Sequence, residues 1–340
     1  MKPALVVTSI VGPNEPLSLL AAGAIKHGWS FYVIGDQKSP VDFRLAGCQY
    51  LAIADQLCLP FRYSQQCPPN HYARKNIGYL VAIRDGAKII VETDDDNLPR
   101  ESFWAPRELD REGVFLPTAG WTNVYKLFSD NSIWPRGFPL TEIRKPVPNR
   151  TELSPVNSEC PIQQGLADGN PDVDAIYRLV FDHDTHFTAN KAVILGENAW
   201  CPFNSQNTTW FESVFPFLYL PAHCSFRMTD IWRSFVATRW LQKKRGRIAF
   251  HSATVYQQRN QHNLMKDFAD EVVGYLSNSE IKEVLEAVPW SPKPEVFMQS
   301  AYAQLIARGW VGKNELELLA SWFADLANLG LRYNKDGGNL

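Results

Sequence analysis

The 340-residue sequence lacks an excess of either charge, because 34 lysine and arginine residues stand against 36 aspartate and glutamate residues. A chain without a large net charge has no overall field that would attract nucleic acid or an anionic membrane. The sequence also lacks any run of roughly 20 apolar residues, the length that a helix needs to cross a bilayer. We therefore expect no nucleic-acid partner and no integral membrane segment, and an anionic ligand would need a local site.

The cysteines lack the C-x-x-C spacing of zinc ribbons and thioredoxin-like motifs, since all six are scattered through the chain. The N-terminal segment MKPALVVTSIVGPNEP lacks the small-residue cleavage site of a secretory signal and soon reaches Gly12-Pro13. Internal repeats and low-complexity tracts are missing as well. Reduced thiols and the missing signal favour a cytoplasmic protein.

Strand and helix signals alternate through the first half of the chain. The runs ALVVTSIV (4–11) and SFYVIGD (30–36) predict strands on either side of a helix over 16–28. A second unit joins a helix within 70–88 to the strand KIIVETD. This alternation predicts an α/β fold with a mostly parallel central sheet flanked by helices. Such sheets bind ligands beyond the carboxyl ends of their strands.

The second half is less regular. Residues 100–230 show only short strand candidates, such as GVFLPT and KAVIL, but helical signals then return around the strand GRIAFHSATVYQ (246–257). The tail predicts two amphipathic helices broken at 309–312, for which dimerisation and covering of a cleft are both open roles. We therefore predict a core domain over 1–275 and a helical C-terminal extension over 276–340.

The segment KIIVETDDDNLPR (88–100) ends an apolar strand with three carboxylates. On an extended segment alternate side chains share a face, which would place the Cα atoms of Asp94 and Asp96 about 6.6 Å apart. Adjacent carboxylates repel one another, and burial would raise their pKa values unless a cation stood opposite. A divalent ion supplies that charge, and a diphosphate can complete its coordination. The alternative is a solvated acidic turn capped by Asn97.

Cationic residues precede this strand in the sequence. ARKN places Arg74, Lys75 and Asn76 on a predicted helix, and the strand that follows delivers the acids to the same edge of the sheet. Two cations beside three anions would suit a metal and a diphosphate. Alternatively, Arg74 and Lys75 pair with surface acids.

Several segments together resemble a known family. The passage from ARKNIG to DDD resembles the Ala-Arg-Asn-x-Gly to Asp-x-Asp passage of GT-A-fold, nucleotide-sugar-dependent glycosyltransferases. More closely, five segments are similar to the STELLO family: YARKNIGYLVAIRDGAKIIVETDDDN, IWPRGFPL, GLADGNPDVDAIYRL, FNSQNTTW and FRMTDIWRSFVATR. The resemblance covers roughly residues 4–275. The helical tail has no match, and no membrane anchor is visible.

The resemblance implies a GT-A-like, Rossmann-related fold and a metal-dependent glycosyltransferase. The enzyme would move a sugar from a UDP-sugar donor to a hydroxyl of a carbohydrate or glycan acceptor, with Mn²⁺ or Mg²⁺. Any association with a membrane-bound glycan assembly system would be peripheral. Two alternatives stay open: a UDP-sugar mutase of the reversibly glycosylated polypeptide type, prompted by PDVDA, and a catalytically inactive glycan-binding or scaffold protein.

The resemblance also implies which residues bind the metal and the nucleotide. Metal ligands would be Asp94, Asp96 and His251, because a histidine on a late strand often completes the metal shell in this fold. A lone histidine in a strand is otherwise a core residue. Nucleotide contacts are assigned to Thr8, Ser9, Asp36, Arg74, Asn76, Asp94, Asp95 and Arg259.

An inverting reaction further needs a carboxylate base near the acceptor hydroxyl. Asp230 is the first candidate because it opens a predicted helix, with Asp172 and Asp174 next; a retaining reaction would need none of them. Asp230 could otherwise serve as a helix N-cap. The candidate sugar-facing residues are Trp121, Trp134, Arg136, Trp210 and Trp232. Large aromatic residues more often serve the core.

FDHDTHF (181–187) is a rival metal motif, with His183 and His186 among Asp182 and Asp184. Its neighbours carry no nucleotide-binding pattern. We therefore interpret it as a polar loop.

Overall fold

The computed structural model describes residues 3–181, 183–258 and 263–331. Its strands are β1 (Ala4–Thr8), β2 (Ser30–Ile34), β3 (Gln49–Leu51), β4 (Ile89–Thr93), β5 (Asn97–Pro99), β6 (Asp110–Leu116), β7 (Gly120–Trp121), β8 (Pro155–Glu159), β9 (Ile162–Gly169), β10 (Ala192–Leu195), β11 (Ala199–Trp200), β12 (Asn207–Phe211) and β13 (Ile248–Gln257). Its α-helices are α1 (Glu15–His27), α2 (Ile53–Leu57), α3 (Arg62–Gln66), α4 (Lys75–Arg84), α5 (Ala175–Val180), α6 (Thr229–Lys243), α7 (Leu264–Ala287), α8 (Pro294–Ala307) and α9 (Glu315–Asn328).

One large sheet forms the centre of the molecule. Its strand order is β3-β2-β1-β4-β12-β9-β13-β10-β6-β8, with β5 paired to β13, while β7 and β11 pair with each other. The first four strands in that order run parallel, as the alternation of strands and helices predicted. Strand β12 is antiparallel to β4 and opens the second half of the sheet. The α/β class, the central sheet flanked by helices and the helical tail are confirmed.

The first βαβ unit forms for local reasons. The Asn14 side chain accepts a hydrogen bond from the backbone N–H of Leu17 (2.9 Å) and so caps the N-terminus of α1. Gly28 ends the helix at a φ of 67°, which glycine adopts without steric cost. The buried face of α1 belongs to the same cluster as the apolar side chains of β1 and β2.

Helix α4 packs against the opposite face of the sheet from α1. A 3₁₀ turn over Tyr72–Arg74 precedes it, and every residue from Lys75 to Ile83 is buried. Strand β4, beside β1 in the sheet, is buried along its whole length. The polar residues at the start of α4 are therefore enclosed near the carboxyl end of β4.

Two central strands, β9 and β12, were not predicted from the sequence. Both are fully buried, yet β9 contains glutamines that hide its apolar character. Gln163 satisfies its amide inside the protein by donating to the carbonyl of Glu108 (2.7 Å). Gln164 accepts from the backbone N–H of Asn204 (2.8 Å). Because the burial of these glutamines depends in part on partners distant in the chain, they leave no strand pattern in the sequence.

The predicted pair of tail helices, α8 and α9, is confirmed, and it is fastened to the core. Asp325 of α9 accepts a hydrogen bond from the backbone N–H of Tyr63 (2.8 Å). Glu315 is fully buried and accepts from the backbone N–H of His223 (2.7 Å). Helix α7 runs through residue 275, and the division of the chain there stays a prediction. None of the described helices combines the length and apolar character needed to cross a membrane.

Candidate active site

A cleft of about 590 Å³ lies at the carboxyl ends of β1, β2 and β4, where the fold class predicts a ligand site. The predicted site residues that line it are Thr8, Ser9, Asp36, Arg74, Asp94, Asp95, Asp96, Arg136, Asp172 and Asp230. Lining residues that sequence reasoning missed include Tyr72, Arg178, Ser205, Gln206, Phe226 and Gln257. The fold thus gathers most of the predicted polar residues in one place.

The three consecutive carboxylates lie on a β-turn, which corrects the predicted extended segment. The backbone N–H of Asn97 donates to the carbonyl of Asp94 (3.3 Å) and reverses the chain between β4 and β5. The Asn97 side chain donates to Thr93 Oγ1 (2.9 Å) and to the carbonyl of Gln206 (2.8 Å). The alternative hypothesis is therefore right about a turn closed by Asn97 but wrong about its solvation, because Asn97 is fully buried and Asp96 is 8% exposed.

Asp95 is directed toward β1 and α1. Its carboxylate accepts a hydrogen bond from Ser9 Oγ (2.6 Å), and its carbonyl accepts one from Asn14 Nδ2 (2.8 Å). Asp95 therefore holds the acidic turn against the residues that follow β1. Asp94 and Asp96 remain as the candidate ligands for a cation.

Lys75 is the cation that faces Asp94. Its side chain is fully buried, and Nζ lies 3.6 Å from Asp94 Oδ1. Nζ also donates to the Tyr72 hydroxyl (2.8 Å) and the Thr93 carbonyl (2.9 Å). The position of Lys75 beside Arg74 in ARKN marked it as a candidate cation. Its neighbours in the sequence do not indicate that its side chain points toward the carboxylates.

Burial disfavours negative charge on the acidic turn. It raises the pKa of Asp94 to about 7, with the charges of Asp96 and Asp95 adding to the effect and Lys75 opposing it. Burial also raises the pKa of Asp96 to about 6, although a hydrogen bond from Gln257 acts in the opposite direction. Two neighbouring carboxylates that resist ionisation are suited to a bound cation, which would favour their charged forms.

The donor set fits Mg²⁺ or Mn²⁺. Such ions prefer oxygen ligands, and Mg²⁺ commonly takes one or two carboxylates together with water and substrate phosphates. Asp94 and Asp96 meet that requirement. Within residues 3–181, 183–258 and 263–331, no three or more His, Cys, Asp or Glu side chains are grouped to hold a metal. Phosphate and water would therefore have to complete the coordination.

Asp94→Asn is expected to stabilise the metal-free protein at pH 8 by roughly 1–2 kcal/mol. The pKa of Asp94 is about 7 in the folded chain against an ordinary value of 3.8. Between these values the folded state holds more protons than the unfolded state, so the free energy of unfolding falls as pH rises. Asparagine removes that loss. The Asp94 side chain is 30% exposed, so the gain in stability is smaller than the full pKa shift would give.

Urea unfolding in EDTA at pH 4.5 and pH 8 measures this effect. The variant and the parent should have similar stability at the lower pH, where the folded carboxyl is already protonated. Equal stabilisation at both pH values, or none at pH 8, contradicts the assignment.

Arg136 joins two predicted catalytic acids in one ion-pair cluster, which we call the Arg136 triad (Asp172, Arg136 and Asp230). Its Nε and Nη2 donate to the two carboxylate oxygens of Asp172 (2.7 and 2.8 Å). Nη2 also lies 3.0 Å from each oxygen of Asp230. Burial alone would raise the pKa of Asp230, but the charges of Arg136 and Arg233 lower it below its ordinary value. Met228 holds the N-cap of α6, so the alternative N-cap role for Asp230 is wrong.

Asp174 lies outside the cleft lining and caps a helix instead. Its carboxylate accepts hydrogen bonds from the backbone N–H of Tyr177 (2.7 Å) and from Trp134 Nε1 (2.6 Å). Asp174 is fully buried, and burial raises its pKa to about 6. Its predicted catalytic role is corrected to a structural one, because one oxygen caps α5 and the other accepts from Trp134.

Three of the four predicted tryptophans are buried in the core and Trp121 is half-buried against it, which corrects their assignment to sugar binding. Trp134 is buried beside Asp174. Trp210 and Trp232 are fully buried; Trp210 donates to Glu92 (2.7 Å), and Trp232 donates to Asn278 (2.9 Å). Trp121 packs against Trp200 and Phe235. Their indoles fill space between the sheet and the helices, as large aromatic side chains usually do.

The prediction that His251 is a metal ligand is wrong, because His251 lies on β13 outside the cleft lining. Its Nδ1 lies 3.0 Å from the carbonyl of Ser252. Burial, assisted by the positive charge of Arg111, lowers the pKa of His251 to about 3. Gln257, six residues further along β13, is the residue that reaches Asp96. That spacing corresponds to roughly 20 Å along an extended strand.

Asp36 organises the end of β2 as well as lining the cleft. Its Oδ1 accepts from the backbone N–H groups of Gln37 and Asn70 (both 2.7 Å). Its Oδ2 accepts from the backbone N–H of His71 (3.0 Å). Three backbone donors occupy the carboxylate, so Asp36 fixes the nearby loop that leads toward α4.

The other predicted nucleotide residues divide between ligand-facing and structural roles. Arg74 lines the cleft, donates through Nε to Gln56 (2.9 Å), and keeps a buried Nη2 with no partner among the described residues. Asn76 exchanges two hydrogen bonds with the backbone of Leu220 (both 2.9 Å) and lies outside the cleft lining. Arg259 lies outside the described residues.

Several cleft residues that were not predicted lie in segments that resemble the family but contain no acidic or basic cluster. Ser205 and Gln206 belong to FNSQNTTW, and Phe226 opens FRMTDIWRSFVATR. These segments had a family pattern but no charge cluster. Tyr72 precedes the ARKN cations, and its role depends on contacts that span more than twenty residues.

The rival motif at 181–187 behaves as a polar loop in the part that the structure describes. Asp184 accepts a hydrogen bond from the Tyr256 hydroxyl (2.9 Å). His186 is 66% exposed and lies 3.8 Å from Asp168. Asp182 lies outside the described residues.

Comparison with known protein families gives a consistent result. The family model for STELLO glycosyltransferases matches residues 227–337. Two proteins of Arabidopsis thaliana, "Probable glycosyltransferase STELLO2" and "Probable glycosyltransferase STELLO1", are each 27% identical over 96% of this chain. The chain spans 45% and 44% of the lengths of these relatives.

A likeness to a solved structure is much weaker. "Crystal Structure of a Mycobacterial Protein" aligns with 82% of this chain and 74% of its own chain. The sequence identity is 10% and the TM-score is 0.42. A likeness at this level carries no functional argument.

Proposed function

We propose that the chain, which is similar to STELLO glycosyltransferases, transfers a sugar from a UDP-sugar to a carbohydrate hydroxyl, with Mn²⁺ or Mg²⁺ bound. The observation that carries the proposal is the position of Asp94 and Asp96 in the lining of the cleft, with both pKa values raised. The cleft volume of about 590 Å³ suits a small ligand.

One side of the cleft is suited to the nucleotide. Asp94 and Asp96 would hold the divalent ion, which when bound neutralises charge on a departing diphosphate. Thr8 and Ser9 bring the end of β1 to the same edge. Arg74 Nη2, which has no partner among the described residues, would be a charged donor to an oxygen of the donor substrate.

The Arg136 triad is suited to sugar hydroxyls. Its carboxylates accept hydrogen bonds and its guanidinium donates them, which matches the two roles of a hydroxyl group. Phe226, which is 52% exposed, adds an apolar surface to the same cleft. In an inverting reaction Asp230 would be the base. Its lowered pKa makes it a weaker base toward the acceptor hydroxyl.

A thermal-shift panel of UDP, GDP, CDP and ADP, each with Mn²⁺ or with EDTA, tests the donor and the metal together. UDP is expected to raise the thermal midpoint only when Mn²⁺ is present, because the diphosphate completes the coordination of the ion. At a concentration 100 times Kd the added stability is about 2.7 kcal/mol. Uridine, which lacks the diphosphate, is the matched control. Equal stabilisation in EDTA, or none by any nucleotide, contradicts the proposal.

Two further measurements separate the alternatives. A UDP-sugar mutase changes its substrate in the absence of an acceptor, whereas a glycosyltransferase needs an acceptor for sugar transfer. A scaffold protein would bind nucleotide equally well after Asp94→Ala and Asp96→Ala, or would bind none. Product analysis with and without a carbohydrate acceptor, together with binding by these variants, distinguishes the three functions.

A further inference from the structure

A row of hydrogen bonds crosses the floor of the cleft from Asp94 to Asp230. The Tyr72 hydroxyl donates to Asp94 Oδ1 (3.0 Å) and can accept from Ser205 Oγ, which lies 2.6 Å away. Ser205 Oγ also lies 3.1 Å from Asp230 Oδ2, and the backbone N–H of Ser205 donates to that same oxygen, so the row continues to Asp230 when the single Ser205 hydroxyl hydrogen points to Tyr72. We call Tyr72 and Ser205 the hydroxyl bridge.

The surroundings hold the hydroxyl bridge in one arrangement. Lys75 Nζ donates to the Tyr72 hydroxyl oxygen (2.8 Å) and lies 3.5 Å from the Ser205 carbonyl. The backbone N–H of Ser205 donates to Asp230 Oδ2 (3.1 Å). Ser205 is 3% exposed and the Lys75 side chain is fully buried. Hydrogen bonds in such an enclosed network strengthen one another and respond as a unit.

The bridge connects parts of the chain that no single element holds together. Asp94 follows β4, Ser205 precedes β12, and Asp230 lies in the first turn of α6. Asp94 belongs to the acidic turn, whereas Asp230 belongs to the Arg136 triad. Thr93 of β4 pairs with Asn207 of β12, so the backbone places Asp94 near Ser205, and the hydroxyl bridge links both to Asp230 at the start of α6.

We propose that Tyr72 and Ser205 are positioning residues that couple the cation-binding carboxylates to the Arg136 triad. An ion that orders Asp94 would order Tyr72 and Ser205 with it, and through them Asp230. Such coupling is reciprocal, so groups bound at the triad would strengthen binding at the acidic turn. This inference rests on the proposed function.

Isothermal titration of UDP in the presence of Mn²⁺ tests the coupling with two small substitutions. The Ser205 hydroxyl lies within hydrogen-bond distance of Tyr72 and Asp230, and it reaches Asp94 only through Tyr72. Even so, Ser205→Ala is expected to weaken Mn²⁺-dependent UDP binding by about fivefold or more. Tyr72→Phe should have a similar effect. The double variant should bind no more weakly than the weaker single variant, because either change interrupts the same bridge.

Tyr63→Phe is the matched control. The Tyr63 hydroxyl is buried and makes two hydrogen bonds, to the carbonyl of Ala73 (3.2 Å) and from Asn76 Nδ2 (2.7 Å). Tyr63→Phe should therefore lower the thermal midpoint while leaving UDP binding unchanged, a separation that a merely structural role of Tyr72 would not produce.

Three results overturn the coupling alone: losses that multiply in the double variant, no effect of Ser205→Ala, or a loss of binding in Tyr63→Phe that matches Tyr72→Phe. If the parent protein binds no UDP with Mn²⁺, the proposed function fails and the coupling fails with it.

Discussion

Asp94→Asn and Asp96→Asn are each expected to weaken Mn²⁺-dependent UDP binding by about 100-fold or more, a loss of about 2.7 kcal/mol. Asparagine keeps the shape of the side chain but removes the negative charge that attracts the ion. Residues that only orient a metal ligand typically contribute 10–100-fold to affinity, so a ligand itself should contribute at least as much. Isothermal titration with UDP in Mn²⁺ measures the loss directly.

Asp85→Asn is the control for these two variants. Asp85 lies at the C-terminal end of α4 and accepts a hydrogen bond from the Tyr32 hydroxyl (2.8 Å), at the other end of that helix from the cleft. Its replacement should leave UDP affinity unchanged. Unfolding would not explain a loss of binding by Asp94→Asn, since that variant should be the more stable protein at pH 8. Normal binding by either cleft variant would show that its carboxylate does not hold the ion.

Arg233→Met should destabilise the protein by about 3–5 kcal/mol, the largest effect on stability that we expect. Arg233 donates to both carboxylate oxygens of Glu92 (2.7 and 3.1 Å). The Glu92 side chain is fully buried, and that of Arg233 is 1% exposed. Trp210 and Tyr79 also donate to Glu92, but neither supplies a positive charge. Methionine would therefore leave a buried carboxylate without its counter-ion.

Urea unfolding of Arg233→Met, Glu92→Gln and the double variant measures this contribution. The double variant should be more stable than the sum of the two single losses predicts, because it removes both charges together. Strict additivity, or a loss below about 1 kcal/mol in Arg233→Met, would mean that Glu92 is not dependent on Arg233. A change in the urea m value would indicate altered compactness instead.

Much of the fold could be predicted because the relevant signals are local. The side chain of Asn14 and the backbone of Gly28 set the limits of α1 through contacts within a few residues. Continuous apolar runs identified β1, β2 and β4. Strand β9 was not predicted because Gln163 and Gln164 are polar residues, and the distant partners that help to satisfy them inside the protein are not visible in the sequence.

The candidate site could be predicted only in part, for a related reason. Asp94 and Asp96 were identified because a run of acids at a strand end is visible in the sequence. His251 was misplaced because a pattern of strand residues does not indicate which residue reaches a given edge, and Gln257 occupies that place. Trp232 looked suitable for a sugar, but its burial depends on how α6 packs against neighbouring elements.

The sequence by itself determined the α/β class, the tail helices and the presence of an acidic cluster after β4, since apolar periodicity and helix caps act over short distances. Only the tertiary structure decided three contacts. Asp95 accepts a hydrogen bond from Ser9, Lys75 is buried opposite Asp94, and Arg136 forms ion pairs with both Asp172 and Asp230. Each of these partnerships joins residues that are distant in the chain or turned by a local bend, and packing of whole elements brings their charges within reach.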